Sequence, residues 1–364
     1  MHKTSAWPLA WVYLGLVIYA SLYPFVEWRD QGILPFAFLW QPLPKYWTWF
    51  DVGINVAGYA PFGFLLAASA LRTGRSRHAV LVAALAGGVV SLVMETLQSY
   101  LPSRVASNVD LLLNAEGALA GAALARLLER FGALARWSRF RERWFISNAR
   151  GGLVMICLWP VALLFPAPVP LGLGQVMERL EATLAALLRD TPFLEWLPVR
   201  EVELQPLIPG AEMLCVALGA LIPCLLGYCI IPSVPRRAMF ALGVIASGTG
   251  VTALSWALSY GPPHAWGWFG LPAQMGLAAA LVLALALLPL PNRVSAALLL
   301  LSLGIYLAVL NQAPTSPYLA QTLNTWEQGR FIRFHGLAQW LGWLWPYGTL
   351  AYVLALVWGR GAKN

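Results

Sequence analysis

Charge is what this chain has least of. Only 11% of its 364 residues are Asp, Glu, Lys or Arg, where a soluble globular protein carries roughly 25%. That shortage excludes an ordinary water-soluble domain, the more so because 59% of the residues are hydrophobic and the mean hydropathy is +0.66. Cysteine is scarce as well. Cys157, Cys215, Cys224 and Cys229 all fall in apolar stretches and form no C-x-x-C pair, so neither a disulfide framework nor a zinc centre is expected, and they read as small core hydrophobes. The sequence contains no H-E-x-x-H, no phosphate-binding P-loop and no G-x-S-x-G elbow in context, which leaves no familiar enzyme class indicated.

What the chain has in quantity is long apolar runs and 18 tryptophans. Runs of about 18 or more apolar residues are membrane-span candidates, and indoles favour the membrane–water interface. Ten such runs occur: residues 7–25, 52–71, 79–101, 109–128, 153–171, 211–231, 238–260, 271–290, 294–310 and 340–358. Pro160, Pro166, Pro223 and Pro272 lie in or near spans, where a membrane helix tolerates a kink. The start of the chain shows no small-x-small cleavage pattern, so the first run reads as a retained helix.

Assigning the loops to alternate sides, with the N-terminus in the cytoplasm, puts 16 of the 24 basic residues on that side and only Glu129 and Glu142 of the 16 acids. The positive-inside rule favours this orientation. The expected fold is therefore all-α: a polytopic helical membrane protein of about ten transmembrane helices, with the N- and C-termini cytoplasmic. The net charge of +8 is read as a topology determinant facing anionic lipid headgroups rather than as a nucleic-acid surface, so no nucleic-acid partner is expected.

Three regions follow. Residues 1–130 form a four-helix membrane domain. Residues 131–150 form a basic cytoplasmic linker whose Trp137, Phe140, Trp144 and Phe145 suggest an interfacial amphipathic segment. Residues 151–364 form a six-helix membrane domain. Within the latter, Val176, Leu180, Leu184, Leu187 and Leu188 follow helical spacing. An amphipathic helix near 175–190 is expected on the periplasmic side, lying on the membrane or capping the bundle. The last outer loop, with Trp326, Glu327, Arg330, Arg333 and His335, reads as an interfacial anchor, and phosphate or sugar recognition is its alternative.

The membrane charge is concentrated in residues 35–130. Asp51 and Asn55 open one span, Glu95 and Gln98 close the next, and Asp110 and Asn114 open the third. The spacings i, i+4 and i, i+3 put each pair on one helix face. With about 1.5 Å rise per residue, Asn55 and Asn114 lie about 6 Å and Glu95 about 9 Å below the outer ends of their helices. All five side chains thus fall in the outer third of the membrane, where an ionisable group calls for a functional explanation. Gly117 and Gly121 allow close helix approach. Arg104 is placed to neutralise Glu95 or Asp110 or to hold an anion, and Ser107 or Asn108 to cap the helix that Asp110 begins. Asp51 and Asp110 also have a purely local account, since acids suit a first helical turn. Glu95 has none. Glu116 lies near the same depth on another face. A buried network that only locks three helices is the structural alternative to a site.

At these residues the chain resembles the VanZ-like family. The resemblance runs through Asp51, Asn55, Pro61-Phe62-Gly63, Glu95-x-x-Gln98, Arg104, Ser107, Asp110, Asn114, Gly117 and Gly121 and covers about a quarter of the chain. It implies a multi-pass protein of the bacterial inner (cytoplasmic) membrane, and a cell-envelope role of the kind for which the family is named, low-level resistance to the lipid-tailed glycopeptide teicoplanin.

The leading expectation is an outward-facing polar site for a lipid-like or lipid-linked ligand, formed by Asp51, Asn55, Glu95, Gln98, Arg104, Ser107, Asp110 and Asn114. Membrane lipid, a lipid-linked envelope precursor or a lipoglycopeptide would be its partner. One alternative is an intramembrane enzyme with Glu95 as catalytic acid or base. Another is a proton- or ion-coupled transporter. No cofactor is required, although a divalent cation at Asp51, Glu95 and Asp110 is a further possibility.

Overall fold

The computed structural model describes residues 6–23, 25, 27–43, 49–74, 78–165, 167–196, 204–314 and 332–361, with backbone alone at 50, 332–337 and 359–361. The aromatic–basic loop with Trp326, Glu327 and Arg330, the side chains of Arg333 and His335, and Lys3, Arg75, Arg77 and Lys363 lie outside the described residues. Among the described residues the chain forms twelve α-helices and no strand. They gather into two compact units, Met1–Arg143 and Trp144–Asn364, so the boundary falls inside the basic segment 131–150.

The first unit contains α1 (Ala6–Leu22), α2 (Trp49–Arg72), α3 (Ala79–Gln98), α4 (Asn108–Arg130) and α5 (Ala133–Trp144, which reaches one residue past the boundary). α2 packs against both α3 and α4, and α1 against α2 and α3. Small residues bring α2 and α4 together: a Cβ on Gly63 would land on the Ala118 carbonyl, one on Gly117 on the Val56 carbonyl, and one on Gly121 on the Ala60 carbonyl. The expected close approach at Gly117 and Gly121 is present. α2 carries Pro61 in its interior and still runs as one helix.

The second unit contains α6 (Arg150–Ala162), α7 (Met177–Leu188), α8 (Pro209–Ile230), α9 (Val234–Tyr260), α10 (Leu271–Ala286), α11 (Asn292–Leu310) and α12 (Ile332–Gly361). α8 is the axial helix, with every residue from Cys215 to Ile230 buried. A helix apolar on all sides belongs at the centre of a bundle, and α10, α11, α9 and α6 pack around it. Cys215, Cys224 and Cys229 lie in that core, whereas Cys157 is exposed, contrary to its reading as a core residue.

Among the described residues seven helices are long and apolar enough to cross a membrane; α1, α6 and α10, at 17, 13 and 16 residues, are shorter. The largest departure from the sequence reading is α6, which stops at Ala162 instead of running to Leu171. Pro166, Pro168 and Pro170 alternate there. Each proline removes a backbone donor and disfavours helix in the residue before it. The segment from Val169 to Gln175 is nonetheless buried. Non-helical backbone at such a position needs partners from the protein. Tyr306 and Tyr347 hydroxyls donate to the carbonyls of Leu171 (2.7 Å) and Gly174 (3.2 Å). The Asn311 side chain accepts from the Val176 and Met177 amides, both at 3.0 Å. α7 follows as the expected amphipathic helix and buries none of its residues.

Candidate polar site of the first unit

α4 begins where the chain switches from extended to helical backbone at Ser107. The Ser107 hydroxyl oxygen accepts from the amides of Val109 (3.2 Å) and Asp110 (3.3 Å), the geometry of an N-cap. Removing such a cap costs about 1 kcal/mol. Ser107→Ala should therefore lower the thermal midpoint by a few degrees without altering the helical content seen by circular dichroism.

The Ser107 amide, which the cap leaves over, donates to Glu95 Oε2 at 2.8 Å. In a capping box this role falls to an acid in the helix's own first turn; here α3 supplies it. Glu95 is 3% exposed, so the carboxylate that has no local account in sequence gains one in three dimensions: it docks the end of α3 onto the positive end of α4. Asp110 lies within electrostatic reach of Glu95. Asn55 Nδ2 donates to Asp110 Oδ1 at 2.7 Å, which ties α2 to α4 at the same level. Asp51 is half-buried one turn above Asn55 on α2.

One turn deeper, Asn114 Nδ2 donates to Ser91 Oγ at 2.9 Å. Asn114 Oδ1 is buried with no hydrogen-bond partner. The Tyr59 hydroxyl lies beside the Ser91 and Ser21 side chains and within electrostatic reach of Glu95, without a well-formed hydrogen bond. Asn114 and Tyr59 are 6% and 5% exposed. Buried polar atoms are paired in the great majority of cases, so an acceptor and a hydroxyl left over on two residues that both neighbour Ser91 are unusual. Sequence reasoning missed Tyr59 and Ser91. A signal was present: Tyr59 is four residues after Asn55 and Ser91 four before Glu95, so both extend the same helix faces inward.

Two expected site residues reach backbone carbonyls at the end of α1. Gln98 Nε2 donates to the Ser21 carbonyl (2.9 Å), and the Arg104 guanidinium donates to the carbonyls of Ala20 (3.3 Å) and Tyr23 (2.6 Å). The last carbonyls of a helix lack intrahelical donors, and these side chains satisfy the end of α1. Asn108 Nδ2 donates to the Gln41 carbonyl at 2.8 Å. Glu116 is on the exposed face of α4, away from the cluster. Among the described residues no group of three or more His, Cys, Asp or Glu side chains is arranged to hold a metal ion. Glu95 accepts from the Ser107 amide and Asp110 from the Asn55 side chain.

The site thus joins α2, α3 and α4, three apolar helices of spanning length, and the protein is a multi-pass membrane protein, all-helical among the described residues. Residues 9–129, about a third of the chain, match the VanZ/LLP1 family. The match falls within the N-terminal unit and agrees with the VanZ-like resemblance carried by Asp51, Asn55, Glu95, Asp110 and Asn114. No curated protein matches the chain, and no solved structure does.

Proposed function

We propose that the VanZ-like unit receives the polar end of an amphiphile, at the outer face of a bacterial inner membrane. The observation that carries this reading is the unused hydrogen-bonding capacity of Asn114 Oδ1 and of the Tyr59 hydroxyl, which lies within electrostatic reach of Glu95. A bound hydroxyl, amide or amine would satisfy them and recover a desolvation penalty of about 1–3 kcal/mol for each group left unpaired. Asp110, Asn55 and Asp51, half-buried above them, form the polar approach, and the apolar helix exteriors accommodate the acyl chain. Ligands of this class include a lipid-linked envelope precursor and a lipoglycopeptide such as teicoplanin.

The test compares wild type with Glu95→Gln and Asn114→Leu. Glutamine keeps an oxygen that accepts from the Ser107 amide, so the helix junction survives while the charge is lost. Leucine removes the unused acceptor at similar volume. Lipid or added teicoplanin retained by each purified protein is measured by native mass spectrometry, alongside its thermal midpoint. The expected result is at least a tenfold drop in retained amphiphile for both variants, with the Glu95→Gln midpoint within a few degrees of wild type. Equal retention in all three proteins, or a collapse of Glu95→Gln stability with no change in retention, would reduce the cluster to a lock between helices.

A further inference from the structure

α5 offers a second surface, at the opposite end of the unit from Glu95 and built from none of the residues of that site. At about 100° per residue, Leu134, Ser138 and Arg141 share one narrow face. Leu134 packs against the cluster of Ala67, Leu71 and Ala125. The Ser138 hydroxyl folds back onto the Leu134 carbonyl at 2.8 Å. Arg141 and Glu142 lie within electrostatic reach of Arg72 at the end of α2. This face ties α5 to the end of the bundle where α2 and α4 finish. Next around the helix come Trp137 and Phe140, stacked with centroids 5.4 Å apart and exposed by 51% and 39%. Beyond them, facing away from the bundle, lie Arg136, Arg139 and Arg143, all exposed. No residue of α5 is buried.

The order bundle, aromatics, arginines fits one environment. In water the stacked indole and phenyl rings would remain uncovered. In a headgroup layer the aromatic sector enters the acyl boundary while the arginines stay level with the phosphates. The charge balance selects the sign of the lipid. α5 carries four arginines and one acid. We infer that α5 is an in-plane helix that binds anionic phospholipid, with Trp137 and Phe140 inserted and Arg136, Arg139 and Arg143 on the phosphates.

The full-length protein is placed in nanodiscs of phosphatidylcholine alone and in nanodiscs in which phosphatidylglycerol replaces half of it. Amide hydrogen exchange of residues 133–143 is then compared. Basic residues near an anionic surface each add to the attraction, which salt screens. Exchange should slow about tenfold or more in the anionic discs, with most of the effect lost at high salt. The combined substitution Arg136→Gln, Arg139→Gln and Arg143→Gln should abolish the slowing and leave exchange in α2, α3 and α4 unchanged, which shows that the variant is folded. Equal exchange in the two discs, or slowing that persists in the triple variant, overturns the inference. Either result leaves the Glu95 site untouched, because lipid retention there is read by Asn114→Leu.

Discussion

Replacing Arg237 by alanine should destabilise the second unit by at least about 3–5 kcal/mol, the range measured when one partner of a buried charged pair is removed. Arg237 is 3% exposed. Its Nε donates to the Ile231 carbonyl (2.8 Å), one terminal nitrogen to Leu288 (2.9 Å) and Leu290 (2.6 Å), and the other to Tyr228 (3.0 Å) and to Asn292 Oδ1 (2.6 Å). Tyr228 and Ile231 are at the C-terminal end of α8, Leu288 and Leu290 connect α10 to α11, and Asn292 opens α11. One guanidinium therefore supplies donors to helix-end carbonyls that have none of their own. Alanine would leave all five acceptors without this donor, those of Tyr228 and Ile231 in a buried setting and the other three half-buried. Charged hydrogen bonds are worth about 1.5–3 kcal/mol each and do not add independently, so the estimate is set below their sum. Arg237→Lys should recover only part of the loss, because an ammonium group has three donors and no planar fork. Thermal unfolding of both variants in detergent checks this. An alanine midpoint within two or three degrees of wild type would show that the network contributes little.

Arg237 also marks where the sequence stopped being informative. As a letter it is one more arginine, beside Arg236, and the topology argument counts both among the loop charges it assigns to the cytoplasmic side. Its burial depends on three helix ends meeting around it, which no local pattern encodes. The opposite holds for the helices themselves. Apolar run length alone recovers α2, α3, α4, α8, α9 and α11 to within a few residues, because spanning length is a local property. It overestimates α6, where the prolines at 166, 168 and 170 are as apolar as their neighbours on a hydropathy scale yet end the helix.

The polar cluster divides in the same way. Periodicity alone places Asp51, Asn55, Glu95, Asp110 and Asn114 at one level, and the structure brings Glu95, Asp110, Asn55 and Asn114 into the junction of α2, α3 and α4. Which donor meets which acceptor was not legible. Arg104 is charged and near the acids in sequence, yet its guanidinium serves carbonyls of α1, 81 and 84 residues away. Glu95 has no helix start of its own to cap, yet it caps that of α4. Both outcomes come from backbone groups at helix ends, whose demand for partners is invisible in a one-letter string.

The same junction depends on how closely α2 and α4 approach, and this sets the second large effect. Gly117→Val or Gly121→Val should prevent the two helices from closing. A Cβ at Gly117 would meet the backbone carbonyl of Val56, and one at Gly121 that of Ala60. Backbone cannot rotate out of the way as a side chain can, so the helices must separate. Separation also breaks the Asn55–Asp110 bond and opens the space around Asn114. Overpacking a core typically costs about 1–3 kcal/mol, with larger values where the structure cannot relax. Here the loss should exceed about 3 kcal/mol, since loss of helix contact adds to the clash. Gly88→Ala is the control. Its Cβ would meet only the Ala115 Cβ at 3.8 Å, an ordinary contact, and alanine is preferred over glycine in a helix interior by up to about 1 kcal/mol. Thermal midpoints should therefore fall sharply for the two valine variants and hold or rise for Gly88→Ala. Amide exchange in α4 should accelerate in the valine variants from Asn114 downward. Valine variants with wild-type midpoints would mean that α2 and α4 do not pack backbone to backbone, and the arrangement of Asn55, Asp110 and Asn114 that relies on it would fall with them.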